Sequence, residues 1–148
     1  MMLNFLNKKQ DEKNQQDIDL VKIISLLIHA AKIDENYTDK EKKLIKDFIL
    51  SFSHETKKEV SQQEILDIIK KAEDYENNSN QILEFTKEVK KTDLKLKTLL
   101  LKTLWQIILS DNKSGIYESN LMRRICGLLY VPDKLSGEIK SSILDKKK

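Results

Sequence analysis

Residues Ile23 to Glu41 read IISLLIHAAKIDENYTDKE, and residues Leu100 to Glu118 read LLKTLWQIILSDNKSGIYE. In each, the chain runs along an apolar stretch, reaches an Asp, crosses a polar turn and arrives at a Glu seven residues beyond the Asp. In the first stretch Val21, Ile24, Leu27, Ile28 and Ala31 recur at intervals of three and four, the spacing of one buried helix face. The second is apolar over most of its circumference, and a helix of that kind cannot lie on a surface, so it is expected to run through the middle of the domain. Each turn joins two helices, and each Glu opens the second helix of its pair. The two pairs therefore form a pseudo-repeat, though two copies are too few for a solenoid.

Working outward, the pattern predicts helices and no strand. A first helix is expected over Asp17 to Ile33. Thr38-Asp39-Lys40-Glu41 is a capping box, which starts a second helix over about Asp39 to Ser53 with Leu44, Ile45, Phe48 and Ile49 inward. Ser61-Gln62-Gln63-Glu64 repeats the box, with Val60 and Ile65 placed as a hydrophobic staple, and Ile65, Ile68, Ile69 and Ala72 line the third helix. Asn77 to Asn80 is a polar break. Ile82, Phe85 and Val89 mark a fourth helix ending near Lys91, and Thr92 or Asp93 caps the fifth. A sixth spans about Tyr117 to Tyr130, and Pro132 opens a seventh as its first-turn residue, ending near Leu144. The expected layout is an N-terminal tail or short helix over 1–16, one all-α domain of about seven helices over 17–144, and a basic tail over 145–148.

Composition narrows the function. Among 148 residues there are three Gly and one Pro, a poverty in the residues that tight hairpins require, which removes all-β architectures. The net charge is +3, from 27 basic and 24 acidic residues, and Asp and Glu are interleaved with Lys, which speaks against a nucleic-acid partner. Cys126 is the sole cysteine, which excludes an intramolecular disulfide framework and a Cys-rich zinc site and makes a reducing cytoplasm the expected compartment. No stretch approaches the roughly 18 uninterrupted apolar residues of a membrane span. Met1 to Leu6 has neither the order nor the length of a signal peptide.

The second acidic turn also carries a resemblance. Leu104 to Leu135, LWQIILSDNKSGIYESNLMRRICGLLYVPDKL, is similar to the TerB-like tellurite-resistance proteins in its order of helix, acidic turn, Glu, Leu-x-Arg-Arg-Ile and closing Leu-Leu-x-Val. Ile82-Leu83-Glu84-Phe85-Thr86 sits where similar proteins have a Phe-Thr helix. Glu35 and Asn112 stand where the family has Gly after the Asp, and Lys32-Ile33 and Leu109-Ser110 replace its alanines. The resemblance implies a helical, non-enzymatic protein of tellurite resistance or stress response, with protein partners that include membrane-linked components. It also implies a divalent metal ion at the acidic turns, with Asp34, Glu41, Asp111 and Glu118 as ligands.

The residues themselves leave two readings open. Neither turn is an EF-hand, because the twelfth position counted from Asp34 is Ile45 and from Asp111 is Met122. Asp34 and Asp111 can accept amide hydrogens within their own turns, and Glu41 and Glu118 can serve as helix caps; alternatively the four carboxylates hold a hard cation. Without an ion, the chain is a helical protein-interaction or dimerisation module. His29, Cys126 and Trp105 read as packed residues, and Arg123-Arg124 as a solvated pair. No Gly-rich phosphate loop and no Ser-His-Asp arrangement is present, so no enzyme is expected.

Overall fold

The computed structural model describes residues 19–33, 37–79, 82–111 and 116–147. It is all-α. In chain order the helices are α1 (Leu20–Ile33), α2 (Asp39–Thr56), α3 (Gln62–Asn78), α4 (Ile82–Val89), α5 (Leu94–Ile108), α6 (Ile116–Leu128) and α7 (Asp133–Lys147). A short 3₁₀ turn, Leu109–Asp111, follows α5. No strand occurs among the described residues.

Local chemistry sets most boundaries. At α2 the Thr38 amide donates to Glu41 Oε1 at 3.1 Å; at α3 the Ser61 hydroxyl accepts from the Glu64 amide at 3.2 Å. Such bonds satisfy amides that have no partner inside the helix. Asp93 caps α5 by accepting from the Leu96 amide at 2.9 Å, while Thr92 turns its hydroxyl back to the Val89 carbonyl at 2.7 Å. Helix α2 runs one turn past the expected Ser53. It stops only where Lys57 takes a left-handed φ of 58° and the amides of Lys57 and Lys58 return to the carbonyls of His54 and Ser53. Pro132 stands just before α7 rather than in its first turn, and its carbonyl accepts from the amides of Leu135 and Ser136. Helix α7 then continues through Lys147, beyond the expected end near Leu144.

The core sits where α1 and α5 lie against the remaining helices. Ile24, Leu26, Leu27 and Ile28 of α1, and Leu101, Leu104 and Ile107 of α5, are fully buried. Helix α1 packs against α3, α4 and α5, and α5 also carries α2 and α7. The first helical pair is therefore opened out: α1 and α2 touch sparingly, because the apolar face of each is taken up by other helices. No helix among the described residues is long and apolar enough to cross a membrane.

Truncating a fully buried residue of α5 should be costly and truncating an exposed leucine should not. Leu101→Ala is expected to lose about 2–5 kcal/mol in urea unfolding, and Leu50→Ala, at a half-exposed position, less than about 0.5 kcal/mol. Equal losses at both sites would refute this placement of the core.

Candidate functional site

The acidic residue that the structure places fully is Glu41. It lies in the first turn of α2, and its carboxylate is 1% exposed. Oε1 accepts from the amide and the hydroxyl of Thr38, at 3.1 and 2.5 Å. Oε2 accepts from the hydroxyl of Ser110 at 3.2 Å, and that hydroxyl also lies 2.7 Å from the Ile107 carbonyl. Beside it, Lys40 Nζ donates to the Ser110 carbonyl at 3.0 Å. Ser110 belongs to the 3₁₀ turn that leads into the second acidic segment. The helix that leaves the first acidic turn is thus tied to the entrance of the second.

Asp34 lies outside the described residues. Asp111 closes the 3₁₀ turn and Glu118 falls in the first turn of α6, but the side chains of both lie outside what the structure describes. Of the four candidate carboxylates, the structure therefore brings Glu41 to the threshold of the segment that carries Asp111. Among the described residues no group of three or more His, Cys, Asp or Glu is placed to hold a metal ion.

Glu41 is electrostatically unusual. Burying a carboxylate is expensive unless a cation or several donors compensate it. Its partners are two neutral hydroxyls and one amide, and among the described residues no Lys, Arg or His forms an ion pair with it.

A second buried carboxylate, which the sequence reading did not single out, is treated differently. Glu76, near the end of α3 and 8% exposed, has Lys32 Nζ at 2.8 Å on one oxygen and His29 Nδ1 at 3.3 Å on the other. Lys32 also donates to Asn77 Oδ1, and the His29 ring leans on Phe85 with centroids 5.4 Å apart. His29 is accordingly a packed, hydrogen-bonded histidine. Nearby, burial together with the charges of Glu73 and Glu76 pushes the Tyr37 phenol above its ordinary range. Its hydroxyl is buried without a partner among the described residues. A signal for Glu76 was present in the sequence, since it continues the inward row Ile65, Ile69, Ala72 at helical spacing.

On the other side of α5, Trp105 Nε1 donates to Ser136 Oγ at 3.0 Å, which ties α5 to α7. Burial pushes the Cys126 thiol up, more than the nearby Ser136 hydroxyl pulls it down, and the charge of Asp133 adds to the rise. The thiol is a protonated core group.

Residues 20–141 match the family described as tellurite resistance protein TerB. No curated protein and no solved structure matches the chain significantly.

Two outcomes follow from these environments. Glu76→Gln removes the charge that Lys32 and His29 face, and a loss of about 1–3 kcal/mol in denaturant unfolding is expected; an unchanged midpoint would show that the pair is idle. Cys126 should resist a disulfide reagent in the native state and label only as fast as the protein opens. Because its folded pKa is raised, its contribution to stability is complete below the ordinary thiol range of about 8.5 and is lost as the pH climbs toward the raised value. Wild type should therefore lose stability relative to Cys126→Ala as the pH rises above the ordinary thiol range of about 8.5, and rapid native labelling would contradict the assignment.

Proposed function

Because the chain belongs to the TerB family of tellurite-resistance proteins, we propose that it is a non-enzymatic helical adaptor of a tellurite-resistance or stress-response system, one that takes a divalent cation at its acidic inter-helix turns. The observation that carries this reading is the buried Glu41 carboxylate, tied to Ser110 and left without a cationic partner among the described residues. A carboxylate in that position suits a hard ion such as Ca²⁺, Mg²⁺ or Mn²⁺, which takes carboxylate and carbonyl oxygens. Asp34, Asp111 and Glu118 would supply the remaining charge from the segments on either side. Bound there, the ion would neutralise the carboxylates that hold it and join the α1–α2 connection to the α5–α6 connection. The adaptor works in the cytoplasm with protein partners, membrane-linked components of the response among them. The absence of a nucleophile with an adjacent base in the sequence supports a role without catalysis.

One observation favours a second reading. Both Glu41 oxygens already accept hydrogen bonds, which is what a helix cap requires. On that reading the domain is a metal-free interaction or dimerisation module, and Glu41 serves the fold alone.

Calorimetric titration of the full chain with Ca²⁺, Mg²⁺, Mn²⁺ and Zn²⁺ separates the two. The cation reading expects saturable binding of at least one ion, abolished in Glu41→Gln and in an Asp34→Asn, Asp111→Asn double variant. It also expects a rise in stability of about 2.7 kcal/mol when the ion is at 100 times its Kd. No binding at millimolar concentrations, with Glu41→Gln still destabilised, would leave the metal-free reading standing.

A further inference from the structure

Helices α2 and α7 both pack on α5 and scarcely touch each other. Between them lies a groove of about 490 Å³. Its floor is the one polar stripe of α5, including Thr98, Lys102 and Gln106, and it runs as far as Ser110. From Thr98 to Ser110 the stripe is about 18 Å long at 1.5 Å per residue. The walls carry apolar side chains, Leu44 on α2 and Leu135, Ile139 and Ile143 on α7, beside the polar Lys40, Glu138 and Ser142. Leu44 and Ile139 are partly exposed, so each keeps apolar surface that no other helix covers.

The charges are arranged unevenly. Lys40 and Lys102 stand on the α2 side and in the floor, and Glu138 stands on α7. Lys102 is exposed and has no ion-pair partner among the described residues. A gap flanked by two helices that both rest on a third, about three turns long and open along one side, has the shape of a vacant helix position. A small amphiphile would leave much of its surface in water there, whereas small-ligand sites bury most of theirs. A helix needs to bury only one face.

We propose that this groove receives an acidic amphipathic helix of about three turns from a partner protein. Its apolar stripe lies against Leu44 and Ile139, and its Asp or Glu edge meets Lys40 and Lys102. The argument for the groove does not rest on a cation at the acidic turns, because its determinants are the helix gap and the lysines.

The test is a selection of helix-biased 14-residue peptides displayed against the full chain, followed by fluorescence anisotropy with the enriched peptide. Enriched sequences should carry apolar residues at spacings of three and four with carboxylates along one edge. Lys102→Glu should weaken binding roughly tenfold, and replacing the peptide's Glu residues with Lys should restore much of the loss in that variant. Ile139→Glu, checked for folding by circular dichroism, should abolish binding. The proposal is overturned by enrichment of basic or non-amphipathic peptides, or by affinity indifferent to both variants. It is equally overturned by displacement of the peptide by dodecanoate at concentrations that leave other proteins' helix complexes intact, or by light scattering that shows a second copy of the chain filling the groove in a dimer sensitive to Lys102→Glu.

Discussion

The architecture rests on the burial of α5. A helix with Leu100, Leu101, Leu104, Trp105, Ile107 and Ile108 all inside must be covered on almost every side, and that demand fixes where the other helices go. Helix α1 covers one flank and brings α3 and α4 with it; α2 and α7 cover two more. The tie from Trp105 to Ser136 settles how α7 sits, because a buried indole N–H without a partner would be costly. What remains uncovered is the single polar row that begins at Thr98, and the groove lies over it.

Covering α5 in this way also decides what the acidic turns can do. Had α1 and α2 packed along each other as a closed hairpin, each acidic turn would stand alone at the end of its own pair. Instead α2 lies on α5, and its first turn lands on the last residues of that helix, so Glu41 meets Ser110. The contact between the repeats is thus a consequence of core packing, and the polar chemistry is fitted to it. A buried carboxylate that accepts from neutral donors is tolerable when it also finishes a helix end, since the amides there carry partial positive charge.

Much of this was legible in the sequence, and the exceptions have physical reasons. The capping boxes at Thr38 and Ser61 are local, so their residues announce them, and the central placement of α5 follows from its composition. The extra turn of α2 is a different case: His54, Glu55 and Thr56 have no apolar period to declare them helical, and the helix persists until Lys57 adopts its left-handed conformation. The family was readable from the order of motifs around Asp111, and the match over residues 20–141 shows it. The Glu41–Ser110 contact was not, because it joins residues far apart in sequence through the packing of α2 on α5. Glu76 was legible as an inward position but not as a buried charge. It occupies an inward position that periodicity assigns to an apolar side chain, and only the arrival of Lys32 and His29 from α1 explains why a carboxylate is acceptable there.

The contrast between the two buried carboxylates bears on the cation reading. Both are nearly inaccessible, so each carries a desolvation cost. Glu76 meets that cost with an ammonium at 2.8 Å and an imidazole, while Glu41, which has Lys40 beside it in sequence, sees that lysine directed to the Ser110 carbonyl instead. A chain with 27 basic residues had cations to spare. Of the two lysines that flank Glu41 in sequence, Lys42 lies over the Tyr37 ring and Lys40 is at the groove rim with Lys102. Ser110 is consequently shared: its hydroxyl belongs to the acidic junction and its carbonyl to the lysine that borders the groove. If a ligand at one of these places changes affinity at the other through Ser110 or Lys40, the second ligand changes the affinity of the first by the same factor, since linkage between two binding equilibria is reciprocal.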